Sequence, residues 1–168
     1  QISNTDSNGV KIRTRGEDGS TLIQDVYVTG NNVDENRSDG IRVTAYLSDG
    51  GFLTQKVTIT GNSLHSNDHD AIRVGAYVSN ADRLSQTVNV STNTIDGTRD
   101  DDGIQIGTVI SGAVSASTAS ITVAGNQISN IDDDGIIIFR YVSSATLVDG
   151  VVIRNNTLHD IGDEGIQV

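Results

Sequence analysis

Residues 93–106 read Asn93-Thr94-Ile95-Asp96-Gly97-Thr98-Arg99-Asp100-Asp101-Asp102-Gly103-Ile104-Gln105-Ile106. This stretch begins with an asparagine placed two residues before an aliphatic. It runs through an acidic turn and ends on a small residue followed by aliphatic-x-aliphatic. The asparagine recurs as Asn31/Val33, Asn62/Leu64, Asn126/Ile128 and Asn156/Leu158, at successive spacings of 31, 31, 33 and 30 residues. The small-aliphatic-x-aliphatic end recurs six times, from Gly9-Val10-Lys11-Ile12 to Gly165-Ile166-Gln167-Val168. A fixed period of this kind decides the architecture before any local propensity does.

Between these anchors lies a third, in Val26-Tyr27-Val28, Val57-Thr58-Ile59, Val88-Asn89-Val90, Ile121-Thr122-Val123 and Val151-Val152-Ile153. A shorter aliphatic segment, such as Ala45-Tyr46-Leu47 or Ala76-Tyr77-Val78, precedes it. Each unit holds two strongly alternating strands and one or two weaker ones, because period two with β-branched residues on one face is a strand pattern. No segment shows a helical period. A unit of this length cannot bury its apolar face alone, whereas stacking equivalent strands about 4.8 Å apart closes the backbone ladders around one core. The reading is all-β: a right-handed parallel β-helix (solenoid) of about five and a half coils of roughly 31 residues, with 1–168 as a single domain. The predicted inward columns are Val10, Ile41, Ile72, Ile104, Ile136, Ile166 and Ile12, Val43, Val74, Ile106, Ile138, Val168.

Composition agrees. The chain has no Cys, Met, Pro or Trp and only 4% aromatic residues, so its core is built from Ile, Val, Leu and Ala. The net charge of −11 disfavours nucleic acid and anionic membranes, and suits divalent cations or basic partners. No apolar run approaches membrane-spanning length, which argues against membrane insertion. Absence of cysteine excludes disulfides and thiolate metal sites. The chain opens on Gln1-Ile2 and stops on the strand ending at Val168, without polar caps. Repeat arrays need caps, so a longer parent protein is expected, and uncapped ends offer a route to end-to-end self-association.

Two columns have structural readings. The asparagines are expected to form an amide ladder from coil to coil. The small residues Gly40, Ala71, Gly103, Gly135 and Gly165 mark a tight corner with close backbone approach, and Ala71 shows that positive φ is not required there.

These N-x-aliphatic…D-G-I-x-V coils resemble the parallel β-helix repeats of the pectate-lyase-like superfamily over nearly the whole chain. That resemblance implies the company of secreted polysaccharide lyases, hydrolases and epimerases, tailspikes and bacterial surface adhesins. It is specific for fold and unspecific for activity.

The turn before each Gly-Ile strand carries the candidate chemistry. Aligned by coil, it gives the columns Asp6, Arg37, Asp68, Asp100, Asp132, Gly162, then Ser7, Ser38, His69, Asp101, Asp133, Asp163, then Asn8, Asp39, Asp70, Asp102, Asp134, Glu164. Two carboxylates about 4.8 Å apart repel by about 0.9 kcal/mol in water and about 3.5 kcal/mol at an effective dielectric near 20. Ca²⁺ takes 6–8 oxygen ligands and would relieve this. Asp68, Asp70, Asp100, Asp101, Asp102, Asp132, Asp133, Asp134, Asp163 and Glu164 are therefore the metal candidates, with a Ca²⁺ expected to bridge Asp100–Asp102 and Asp132–Asp134. Turn capping by Asp is the competing reading.

Tyr46, Tyr77 and Tyr141 fall at equivalent strand positions, interrupted by Val109, and are the candidate sugar platform. Lys11, Arg42 and Arg73 form a short basic ladder, read as balancing the adjacent acids. His69 could serve as a general base; His65 and His159 read as surface turn residues. The functional expectation is a non-catalytic structural stalk or adhesin module, secreted or at the cell surface, calcium-stabilised and contacting polysaccharide or cell-surface glycan. The alternative is a fragment of a polysaccharide lyase, epimerase or hydrolase.

Overall fold

A computed structural model describes residues 1–168. The chain winds as a parallel solenoid. Its first coil supplies β1 (Ile2–Ser3), β2 (Val10–Gly16) and β3 (Thr21–Thr29). The second supplies β4 (Asn32–Asp34), β5 (Ile41–Ser48) and β6 (Phe52–Thr60), and the third β7 (Ser63–Asn67), β8 (Ile72–Ser79) and β9 (Arg83–Ser91). The fourth has β10 (Thr94–Thr98), β11 (Ile104–Ser111) and β12 (Val114–Ala124). The fifth has β13 (Gln127–Ile131), β14 (Ile136–Val142) and β15 (Ala145–Arg154), followed by β16 (Thr157–Ile161) and β17 (Ile166–Gln167).

Equivalent strands stack into three parallel sheets of six, six and five strands. The first sheet is β1-β4-β7-β10-β13-β16, the second β17-β14-β11-β8-β5-β2, the third β15-β12-β9-β6-β3. Register follows the sequence repeat: Ile41 pairs with Ile72, Ile72 with Ile104, and Ile104 with Ile136. The weaker segment around Ala45-Tyr46-Leu47 is the second half of the second-sheet strand, so each full coil has three strands.

Ile41, Ile72, Ile104 and Ile136 are buried, as are Val43, Val74, Ile106 and Ile138. At the chain ends the same columns open: Val10 is half-buried, while Ile166 and Val168 are exposed. A buried aliphatic of this size contributes about 1.5–3 kcal/mol, which makes large aromatic residues dispensable.

The interior is divided in two. A larger apolar cluster lies between all three sheets, and a smaller one built on Leu47, Leu53, Val78, Leu84 and Ile110 lies at the corner between the second and third. Between them runs a buried glutamine ladder. Gln55 Nε2 donates to Gln24 Oε1 at 2.8 Å, and Gln86 Nε2 to Gln55 Oε1 at 3.0 Å. In the fourth coil the column passes to Ala119 and in the fifth to Asp149, which meets Arg140 at 2.6 Å.

The asparagine ladder forms as expected. The Asn62 carbonyl accepts from the Asn31 backbone N–H at 2.9 Å and from its amide at 3.1 Å; Asn93 does the same for Asn62, and Asn126 for Asn93. The residue before each asparagine turns through positive φ: Gly30, Gly61, Thr92, Gly125 and Asn155. The small-residue corner is tight for a different reason. A methyl group on Gly103 would stand 2.6 Å from the Gly135 carbonyl oxygen, and φ there is ordinary.

Candidate functional site

The acidic turns join the first sheet to the second. Their last residues form a column whose carbonyls accept from the corner one coil earlier, as in Ala71 N–H to Asp102 O at 3.0 Å and Gly103 N–H to Asp134 O at 2.9 Å. The carboxylates run the opposite way. Asp70 Oδ1 accepts from the Asp102 N–H at 3.3 Å, Asp102 Oδ1 from the Asp134 N–H at 3.2 Å, and Asp134 Oδ1 from the Glu164 N–H at 3.0 Å. Asp39, Asp70, Asp102 and Asp134 are all buried. Turn capping and charge crowding thus coexist in one column.

Counter-charge is uneven along it. Arg42 Nη1 lies 3.3 Å from Asp39 Oδ2, and Arg73 Nη1 lies 3.3 Å from Asp70 Oδ2. Two of the three basic residues, Arg42 and Arg73, therefore balance acids, while at Lys11 the column holds Asn8 in place of an acid. One coil on, the same outward position is Gln105, whose amide donates to Asp102 Oδ2 at 2.9 Å, and after that it is Ile137. From Asp102 onward the buried acids have no cation from this column.

Burial holds the Asp39, Asp70 and Asp102 carboxyls above the usual range. For Asp70 the push reaches about 8, first from burial and then from the Asp101 and Asp39 charges, with Arg73 only partly offsetting. Asp133 is raised by slight burial and by Asp134, Asp163 and Asp101. Glu164 is raised chiefly by Asp163.

Six of the ten predicted metal residues converge, in two groups. Carboxylate oxygens of Asp70, Asp101 and Asp102 lie within 4.8 Å of one another, and so do those of Asp133, Asp134 and Asp163. The expected bridge between Asp100–Asp102 and Asp132–Asp134 is not the arrangement found. Asp101 and Asp102 meet the preceding coil, and Asp133 and Asp134 the following one. Asp68 is instead paired with Arg99 at 2.9 Å, Asp100 and Asp132 are exposed outside both groups, and Glu164, outside the second triad, donates its backbone N–H to Asp134 and sets its carboxyl beside Asp134 and Asp163. Three oxygens are fewer than the 6–8 that Ca²⁺ takes, leaving room for carbonyls and water in either group.

His69 Nδ1 stands 3.6 Å from Asp101 Oδ2 at the rim of the first group. His65 lies in register between Asp34 and Asp96, and His159 pairs with Asp160 at 2.8 Å; no two histidines meet.

The tyrosines form a different object from a three-ring platform. Tyr46 and Tyr77 stack on each other at 4.8 Å between centroids and 8° between planes, and Arg13 covers the other face of Tyr46 at 4.7 Å. Tyr141 is two coils from Tyr77, beyond Val109, and is exposed. Beside the stack is an open hollow of about 270 Å³, with Arg15, Ser48, Ser79 and Val109 in its lining.

The glutamine ladder escaped the sequence reading, although Gln24, Gln55 and Gln86 sit at equal spacing and at inward parity on their strands. A second amide contact, Asn36 Nδ2 to Asn67 Oδ1 at 2.8 Å, escaped it too. In both cases the signal was a polar residue repeating at an apolar register position.

A family model described as "Right handed beta helix region" matches residues 1–168. No curated protein matches the chain, and no solved structure does.

Proposed function

We propose, for a chain that belongs to the right-handed β-helix family, that it is a non-catalytic structural module of a secreted or cell-surface protein. It acts as a rigid spacer or adhesive stalk, holds Ca²⁺ on its acidic edge, and meets cell-surface glycan along the face that carries the Tyr46–Tyr77 stack. The observation that carries the calcium reading is the shift in counter-charge along one buried column. Arg42 and Arg73 serve Asp39 and Asp70, but no arginine serves Asp102 or Asp134, and both oxygen groups include one of those two residues.

Regularity supports a structural role. The amide, glutamine and carboxylate ladders repeat the same bonds from coil to coil, whereas active sites tend to break local rules. Asp70 has the raised pKa of a general acid, but it is fully buried and would not meet a substrate.

The test is calorimetric titration of the chain with Ca²⁺, beside an Asp101→Asn/Asp133→Asn variant. Saturable binding that the variant loses is expected. No heat, or heat unchanged in the variant, would reduce the acidic edge to turn chemistry.

A further inference from the structure

The third sheet turns a different surface outward. Of the large apolar side chains that are exposed, Ile23, Tyr27, Phe52, Val148 and Val152 all stand on it, at 48–70% exposure. Between these two apolar ends, the outward positions of β6, β9 and β12 hold mostly Thr, Ser and Ala. None of these positions is acidic, and Asp25 is the one carboxylate on the whole face, in a chain with 22 acids. Strands β3, β6, β9 and β12 hold register without a break over the nine residues that end at Thr29, Thr60, Ser91 and Ala124. A monomer gains nothing from exposing five large apolar groups on a face cleared of negative charge, and such patches mark association.

We propose that this face is a homodimer interface, occupied by the same face of a second copy related by a two-fold axis parallel to the strands. Such an axis reverses the solenoid direction, so the first coil of one copy lies over the fifth coil of the other. Each apolar end then finds an apolar end: Ile23 lies over Val148 and Tyr27 over Val152, by the column register of β3, β6, β9, β12 and β15. Phe52 meets Ala116, and Lys56 meets Ser120.

The other two-fold, along the solenoid, would set Asp25 against Asp25 and Lys56 against Lys56, so charge selects the antiparallel pairing. The middle strand β9 lies over its own copy, and Arg83 is the only charged residue among its outward positions; it sits at the edge of the face, where salt screens it. Five strands about 4.8 Å apart and nine residues long at about 3.3 Å each give a face of roughly 700 Å². Two copies then bury about 1,400 Å², inside the range of specific interfaces. Thr and Ser side chains are small enough for two sheets to pack aligned, as in a β-sandwich.

Sedimentation equilibrium of the full chain should show a mass rising with concentration from 17.7 kDa towards twice that value. Val148→Glu should weaken association at least ten-fold, and adding Ile23→Lys to that variant should restore it, since the pair is in contact only in the antiparallel arrangement. Because the chain has no cysteine, Thr87→Cys, at the centre of the middle strand, gives a single reactive site. A short bis-maleimide should link it into a covalent dimer, while Thr94→Cys, exposed on the first sheet, stays monomeric. All four positions are on outer faces, and thermal melts matching the parent confirm folding. A monomer mass at every concentration would overturn the proposal. So would association untouched by Val148→Glu, or capture of a monomer by insoluble polysaccharide through this face.

Discussion

Two polar ladders run the length of this solenoid, on different turns, and they solve the same problem with different chemistry. In the asparagine ladder each side-chain carbonyl accepts a backbone N–H from the coil before it; in the aspartate ladder the Asp70, Asp102 and Asp134 carboxylates each accept one from the coil after. An amide both donates and accepts, so the asparagine column satisfies itself: Asn93 Nδ2 donates to Asn126 Oδ1 and to the Ile59 carbonyl. An ionised carboxylate only accepts. Each added aspartate therefore brings a charge and no donor, and the column must draw donors from outside it. Arg42 and Arg73 supply them at one end, Gln105 in the middle, and at Ile137 the side chains stop doing so. The neutral ladder can propagate without limit; the charged one needs donors or protons from outside itself, and Ca²⁺ is the proposed source where the arginines end.

The sharpest way to break this contrast is to exchange the chemistry. Asn93→Asp keeps the shape but places an oxygen where Nδ2 faces two carbonyls, so unfolding free energy should fall by about 3 kcal/mol or more. Asp102→Asn makes the opposite swap. It keeps Oδ1 for the Asp134 N–H and removes a buried charge, and Gln105 can turn its amide to accept. In chelator this variant should match the parent or gain up to about 1 kcal/mol. Urea unfolding of the two variants checks both signs, and a large loss in Asp102→Asn would mean that the charge itself is needed.

Proton linkage separates the ladders next. Asp70 has its folded pKa raised to about 8, well above its unfolded value, so the folded state holds the proton more tightly. Stability from this group is fully present below about pH 4 and declines as pH rises towards 8, because there the native state binds more protons than the unfolded one. Asp39 and Asp102 act in the same direction. Melting temperature in chelator should fall across that window, less steeply in Asp70→Asn. The asparagine ladder contributes no such slope. A parent curve that rises with pH over the window would contradict this.

The smallest expected effect lies beside the neutral ladder. Thr92 holds φ 53° in a column otherwise occupied by glycine or asparagine. A β-branched residue is strained there, so Thr92→Asn should raise stability by about 0.5–1 kcal/mol, measurable as a small rise in melting temperature.

Much of this was legible in the residues. Period two and the recurrent Asn31-type and Gly40-type anchors placed every second-sheet register, because a slip by one residue would expose Ile41, Ile72 and Ile104 together. The carboxylates were legible as columns but not as contacts. Spacing alone does not reveal that the turn folds Asp70 inward onto the Asp102 N–H, which decides that Asp101 groups with Asp70 rather than with Asp133. The glutamine ladder stayed hidden because polarity at Gln55 reads as an outward position unless its parity with Val57 is followed. The tyrosine column was legible as a column, while Arg13 over Tyr46 came from a residue two strand positions away.

The most direct test of the account is the calcium-dependent melting temperature of the parent chain beside a Gln105→Arg/Ile137→Arg variant. That variant extends the arginines of Arg42 and Arg73 along the whole aspartate column. Ca²⁺ should raise the parent's melting temperature over chelator, and the variant should melt higher in chelator with little further response to Ca²⁺. Equal calcium shifts in parent and variant, or none in the parent, would contradict the claim that the metal takes the place of the missing arginines.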